Sequence, residues 1–458
     1  MVIDKKKILI AIGIIGFLSV LVATGAKDTF WNAVALGGLM IYFWVFEVIP
    51  IYVTALFPLI LAIPLGVLDK GQLASAYGDS NVYLFFGGFI LALGLEKWNI
   101  HEQVARGIIG FVGNSKPRIL FGFLMSTGFL SMWISNTATA LMMMPMAMAI
   151  IHALPEHDRK GKFAVFLLLS VAYAASIGGV GTLIGSPPNT QMASILENTF
   201  HVKVDFFQWM KIGLPISLMM LLGTFLFFYL SMGKERKESH ADFKINKTPW
   251  SKDQFLVVGI FLLVVILWSF KDLIVPHIGF EYGDENVALL GGILMFLLPS
   301  FETKKPLLHW KDTEKLPWGI LILFGGGLAL AKLMEQNGVI DKLSSTLSSM
   351  HDLSFYTILI VLIVVSVFAS EVLSNLAMVS IFVPLVAKFA IDHGLPIEQL
   401  AIPLTLGASL AFMLPVGTPP NAIVFSSGML HVKQMVKYGF VLNVIGILLI
   451  FLCSLFLI

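Results

Sequence analysis

Four short runs of neutral polar residues interrupt an otherwise apolar chain. Ser135-Asn136-Thr137-Ala138, with Pro145 nine residues after the asparagine, matches Ser374-Asn375-Leu376-Ala377, with Pro384 nine after its own asparagine. Downstream, Gly185-Ser186-Pro187-Pro188-Asn189 matches Gly417-Thr418-Pro419-Pro420-Asn421. Asn136 to Asn189 spans 53 positions and Asn375 to Asn421 spans 46, so two matched motifs occur twice in the same order. Hydroxyl and amide oxygens suit a small hard cation such as Na⁺. A helix interrupted by Pro-Pro adds free carbonyls for that cation, and N–H groups with a positive dipole end for a carboxylate. No Arg or Lys lies in the four runs, and the nearest ionisable group, Glu371, has the wrong sign for an anion. A carboxylate at that depth orients a hairpin, couples to protons, or is a hydrogen-bonded structural acid. An isolated Ser-Asn pair is usually interhelical glue; matched pairs followed by Pro-Pro outweigh that reading.

Membrane-spanning elements must carry these runs. Hydrophobic residues make up 57% of the 458 and charged ones 13%, and the mean hydropathy is +0.88. No soluble fold of this size has interior enough to hide that surface. A net charge of +2 argues against nucleic acid. The single cysteine, Cys453, excludes disulfide frameworks and Cys-rich metal sites. Lys5 to Lys7 followed by an apolar run reads as a retained first helix rather than a cleaved signal. Apolar stretches predict eleven spans, near 8–24, 30–48, 51–68, 82–98, 163–195, 209–232, 254–275, 286–300, 317–335, 400–428 and 434–458. Two more segments, 117–154 and 353–391, are long enough to enter and leave on one side, and each carries its Ser-Asn run at the middle. The expected fold is thus an all-α polytopic membrane protein of about eleven transmembrane helices plus two re-entrant hairpins. A backbone break at such depth must line an enclosed polar cavity.

Charge supplies the orientation. Lys5–Lys7, the lysines of the polar loop 233–253 (Lys244 and Lys247 among them), Lys304, Lys305, Lys311, Lys315, Lys433 and Lys437 mark the cytoplasm. Lys116, Arg118, Arg159 and Lys160 flank the first hairpin, which therefore enters from the cytoplasm. The second hairpin, flanked by His351, Asp352, Asp392 and Glu398, enters from outside. The N-terminus is then cytoplasmic, the C-terminus is extracytoplasmic, and the two halves are inverted repeats. Residues 1–232 form the first repeat: scaffold helices about 8–110, hairpin 117–154, broken helix 163–195 and helix 209–232. Residues 233–253 link it to the second, 254–458: scaffold helices about 254–348, hairpin 353–391, broken helix 400–428 and helix 434–458.

At these motifs the chain resembles the divalent anion/sodium symporter (DASS) family, whose di- and tricarboxylate carriers are often called INDY-like. The likeness covers essentially the whole length. It implies a homodimer in the cell membrane, surrounded by lipid, with a scaffold domain at the dimer interface and a transport domain that moves as an elevator. It places substrate contacts on Asn136, Thr137, Ser186, Pro187, Asn375, Thr418 and Pro419. It places one Na⁺ site on Ser131, Ser135, Asn136 and Gly185, and a second on Ser370, Ser374, Asn375 and Gly417. Leu376 departs from the pattern, which has Thr there; the missing hydroxyl bears on the substrate's second carboxylate, a bond worth about 1.5–3 kcal/mol. The implied activity is secondary transport of C4–C5 dicarboxylates, such as succinate, fumarate, malate or 2-oxoglutarate. It would be coupled to dicarboxylate exchange or to Na⁺ symport, with no other cofactor. Sulfate or citrate carriage and an anion channel are the alternatives.

No G-x-x-x-x-G-K-[ST] run marks a nucleotide-driven pump, and no H-E-x-x-H marks a zinc protease. Hairpins with Asn at their tips also build pores, but twin oxygen-rich runs beside helix breaks favour a carrier. Gly325-Gly326-Gly327 reads as a place of close helix approach or, less simply, an anion cradle. Met142-Met143-Met144 reads as core filling.

Overall fold

Prolines and polar caps set where the helices begin and end. In the computed structural model the described residues are 5–112, 115–156, 158–159, 161–237, 249–348 and 354–456, and they form helices with no β-strand among them. Of the charges used above to orient the chain, Lys160, Lys244, Lys247, His351 and Asp352 lie outside the described residues. The chain opens with α1 (Lys5–Thr24) and α2 (Thr29–Val45), the latter capped by Asp28. The expected span 51–68 is not one helix. Pro50, Pro58 and Pro64 divide it into α3 (Ile51–Thr54), α4 (Phe57–Leu61) and turns. Then come α5 (Lys70–Tyr77), α6 (Ser80–Lys97) and α7 (Ile100–Val112), the last an amphipathic helix that hydropathy alone does not separate from its neighbours.

The first hairpin is α8 (Lys116–Ser131) and α9 (Asn136–Ala153), with a four-residue tip. The first broken helix is α10 (Lys162–Gly179) and α11 (Pro187–Phe200), followed by α12 (Phe206–Met232). The expected span 254–275 ends early, as α13 (Lys252–Ser269), and turns at Phe270 into the short α14 (Lys271–Ile278). After α15 (Asp284–Leu297), α16 (Trp318–Gln336) and α17 (Val339–Ser348), the second hairpin is α18 (Phe355–Ala369) and α19 (Asn375–Asp392). The second broken helix is α20 (Glu398–Ala408) and α21 (Pro419–Phe425), and α22 (Val432–Phe456) closes the described chain. Among the described residues nine helices are long and apolar enough to cross a membrane, with shorter apolar helices beside them.

Helix α10 sits at the centre, with every residue from Phe163 to Gly179 buried. Helix α8 packs on it so closely that Gly178 and Gly128 touch backbone to backbone. The hairpins are fastened at their open ends. Lys116 and the Asp158 carboxylate form a 3.0 Å ion pair in which the lysine is fully buried; Lys388 lies 3.1 Å from both Asp341 and Asp392 at the other hairpin. Gly325, Gly326 and Gly327 resolve as close approach: added side chains would collide with Tyr77, Ala55, and the Gln191 and Ser380 side chains respectively.

Candidate functional site

In the first hairpin, α8 ends on Ser131, which is fully buried, and the chain turns through Met132–Ser135 into α9. Ser131 Oγ lies 2.7 Å from Ala175 O on α10 and 2.7 Å from the Asn136 side chain. One end of the Asn136 amide lies within 3.2 Å of Ala175 O, Ser131 Oγ and Gly185 O. With Nδ2 at that end it donates to all three. With Oδ1 there, four oxygens from three elements converge and share one hydroxyl proton, a shell that a small cation would satisfy. The same atoms therefore serve two states, a closed hydrogen-bond set and an oxygen cage. Ser135 Oγ accepts from Ala138 N at 3.3 Å, capping α9. Thr137 is half-buried beside it.

The first break, 180–186, is stitched rather than open. Thr182 Oγ1 donates to Met132 O at the hairpin tip and accepts from Gly185 N at 3.0 Å. Asn189 Nδ2 reaches back to Gly179 O at 3.0 Å and Thr182 O at 2.8 Å. Glycine is required here: a Cβ on Gly185 would stand 2.6 Å from Gly179 O and 3.0 Å from Met132 O.

The second break repeats the stitch. Asn421 Nδ2 donates to Ala411 O at 3.0 Å and Leu414 O at 2.9 Å, again ten and seven residues back. The following helices also approach alike. A Cβ on Gly213 of α12 would lie 2.5 Å from Val180 O, and one on Gly439 of α22 would lie 2.5 Å from the Phe412 carbonyl carbon. The tips differ, however. Ser370 Oγ turns back to Val367 O at 2.9 Å, the Ser374 side chain caps nothing, and Asn375 Oδ1 is buried without a hydrogen-bond partner among the described residues.

The structure changes one expectation about the breaks. Pro187-Pro188 and Pro419-Pro420 occupy the first turns of α11 and α21 and carry no N–H. Gly185 N, Asn189 N and Asn421 N are bonded to Thr182 Oγ1, Ser186 O and Thr418 Oγ1. Phe412, Met413 and Leu414 N all donate to Glu371. The broken helices thus keep their donors for themselves, and the N–H groups left to a ligand are those opening α9 and α19.

Packing brings the two copies together crosswise. Helix α9 lies against α21, and α19 lies against α11. Asn136 and Thr137 are thereby carried on an element that packs on the helix opened by Thr418 and Pro419, and Asn375 on one that packs on the helix opened by Ser186 and Pro187. Ser186 and Thr418 are buried, Pro419 is exposed, and Leu376 is buried in the first turn of α19. Among the described residues no three His, Cys, Asp or Glu gather, and no ion pair reaches either tip. The available ligands are neutral oxygens and amides. Ala175 O, Met132 O and Thr182 join the first site with no motif to announce them. Their sequence signal is weak, because a carbonyl ligand can belong to any residue type.

A family model described as the sodium:sulfate symporter transmembrane region matches residues 3–457. The chain belongs to the sodium:sulfate symporter family. Members of this family, the divalent anion/sodium symporters, are membrane transporters and not enzymes. A sodium-dependent dicarboxylate transporter, SdcS, of Staphylococcus saprophyticus is 37% identical over 434 residues, 91% of this chain and 83% of the relative. SdcS of Staphylococcus aureus strain USA300 is 36% identical over 461 residues, 95% of this chain and 88% of the relative. The YdaH transporter of Alcanivorax borkumensis superposes with a TM-score of 0.56 at 10% identity, covering 84% of this chain and 86% of that one. That likeness concerns the fold.

Proposed function

We propose that the protein is a secondary carrier of C4–C5 dicarboxylates coupled to inward Na⁺ movement. The observation that carries this reading is the oxygen cage of Ser131, Asn136, Ala175 and Gly185 beside two crosswise-packed helix breaks. The relatives named sodium-dependent dicarboxylate transporters support both the ion and the substrate class. In this reading Ser131, Ser135, Asn136 and Gly185 hold one Na⁺, and Ser370, Ser374, Asn375 and Gly417 hold another. The dicarboxylate contacts Asn136, Thr137, Ser186, Pro187, Asn375, Thr418 and Pro419. The dianion meets no Lys or Arg; open N–H groups at the starts of α9 and α19, side-chain amides and the bound cations offset its charge. Hairpins, broken helices, α12 and α22 form a transport domain that moves past a scaffold of the remaining helices. Two protomers pair through the scaffold in the cell membrane, with the N-terminus cytoplasmic and the C-terminus outside.

The test is uptake of [¹⁴C]succinate into proteoliposomes under an inward Na⁺ gradient, or under K⁺ with dicarboxylate inside. Stimulation by the Na⁺ gradient supports symport. Stimulation only by internal dicarboxylate replaces it with exchange, and uptake under neither condition defeats the carrier reading. Asn136→Ala or Asn375→Ala should abolish transport in a folded protein; normal transport in either moves the site elsewhere.

A further inference from the structure

Glu371 is 4% exposed at the second hairpin tip, between Ser370 and Ser374. Its Oε1 accepts from Phe412 N at 2.8 Å, Met413 N at 2.9 Å and Asn443 Nδ2 at 2.8 Å. Its Oε2 accepts from Met413 N at 3.0 Å and Leu414 N at 3.1 Å. Every hydrogen-bonding group facing the carboxyl is a donor, the arrangement that an ionised carboxylate needs. It has no Lys or Arg partner among the described residues. Oε2 also lies 3.2 Å from where a Cβ on Gly417 would stand, so the charge borders the second oxygen-rich run. At the matching place in the first tip stands Met132, whose backbone carbonyl makes the equivalent tie to the break through Thr182. The two tips are built alike, yet only the second holds a fixed negative charge.

Resting on the carrier reading above, we infer that Glu371 is a positioning residue and the countercharge of the second cation site. It seats the tip on the α20–α21 break and on α22, and its charge makes that site the tighter of the two. A carboxylate there attracts a cation and repels a dianion unless a cation lies nearby. Na⁺ at the second tip therefore binds before the dicarboxylate.

The experiment measures [¹⁴C]succinate uptake against Na⁺ concentration in proteoliposomes of the full chain. Glu371→Gln should raise the half-saturating Na⁺ concentration at least tenfold, while KM for succinate at saturating Na⁺ stays within threefold. The exchange of charge in E371Q/N443D, across the 2.8 Å contact, should return Na⁺ dependence to within threefold of wild type. A purely structural role predicts lost maximal rate with unchanged Na⁺ dependence in E371Q, and that result overturns the inference. Should E371Q lose its fold, E371Q/N443D decides alone: Na⁺ dependence near wild type supports the inference, and a tenfold rise overturns it. Wild-type uptake indifferent to Na⁺ overturns the coupling itself, an outcome distinct from Na⁺-dependent uptake that E371Q leaves untouched.

Discussion

Gly178→Ala is the sharpest test of how the first tip is held. A Cβ at Gly178 would stand 2.6 Å from Gly128 Cα and 2.7 Å from its carbonyl carbon, with the carbonyl oxygen closer still. Both partners are backbone, so no rotamer change relieves the clash. Reaching an ordinary 3.4 Å contact means moving α8 off α10 by about 0.8 Å, an overpacking that typically costs about 1–3 kcal/mol. The same shift acts one turn away, on the 2.7 Å bond from Ser131 Oγ to Ala175 O, and stretches it toward about 3.5 Å, past an effective hydrogen bond. Gly178→Ala should therefore lower the thermal midpoint by several degrees and cut Na⁺-driven succinate uptake together. Gly259→Ala in α13, where a Cβ meets nothing within 4 Å, is the control and should hold or slightly raise stability. If Gly178→Ala keeps both the wild-type midpoint and wild-type uptake, the helices are not in contact there and the reasoning fails.

Other consequences are as direct. Asn189→Ala and Asn421→Ala each leave two buried carbonyls without their amide, so each should cost about 1–3 kcal/mol, read as similar drops in thermal midpoint; a large drop in only one would deny the equivalence of the breaks. Lys116→Met strands the Asp158 carboxylate at the base of the first hairpin and should destabilise by about 3–5 kcal/mol in denaturant titration, with K116M/D158L recovering much of it. His101, on α7, is held below its ordinary 6.5 chiefly by burial, against the opposing pull of Glu102, Glu96 and the Leu95 carbonyl. A depressed histidine means that the unfolded chain takes the proton first. Stability should be full above pH 6.5 and fall as the pH drops through the lower folded value, and His101→Gln should flatten that dependence in thermal melts between pH 7.5 and 5.5.

Helix breaks and hairpin tips were legible because lipid leaves so few reasons for Pro-Pro and bare amides in an apolar run. Ser131, Asn136 and Gly185 come together as their spacing indicated. What the spacing hid was the occupancy of the donors. Which N–H groups the breaks keep for themselves depends on Glu371 and Thr182 arriving from distant or non-motif positions. Amphipathic α7 and α17 were missed because hydropathy averages their two faces, and the 51–68 segment read as a span because three prolines barely change its apolar content. Asn189 and Asn421, read as parts of the motif, turn out to be its fasteners.

A helix interrupted partway along invites the picture of a hinge. The paired asparagine stitches make the opposite case. Each break is closed on itself by bonds reaching ten and seven residues back, so bending it would strip a buried amide of both partners at once. A broken helix of this kind behaves as a notched rod: it can be carried bodily and present its notch to a ligand, but it resists flexing there. Whatever motion delivers the ligand must find its pivots in the connections outside the notches.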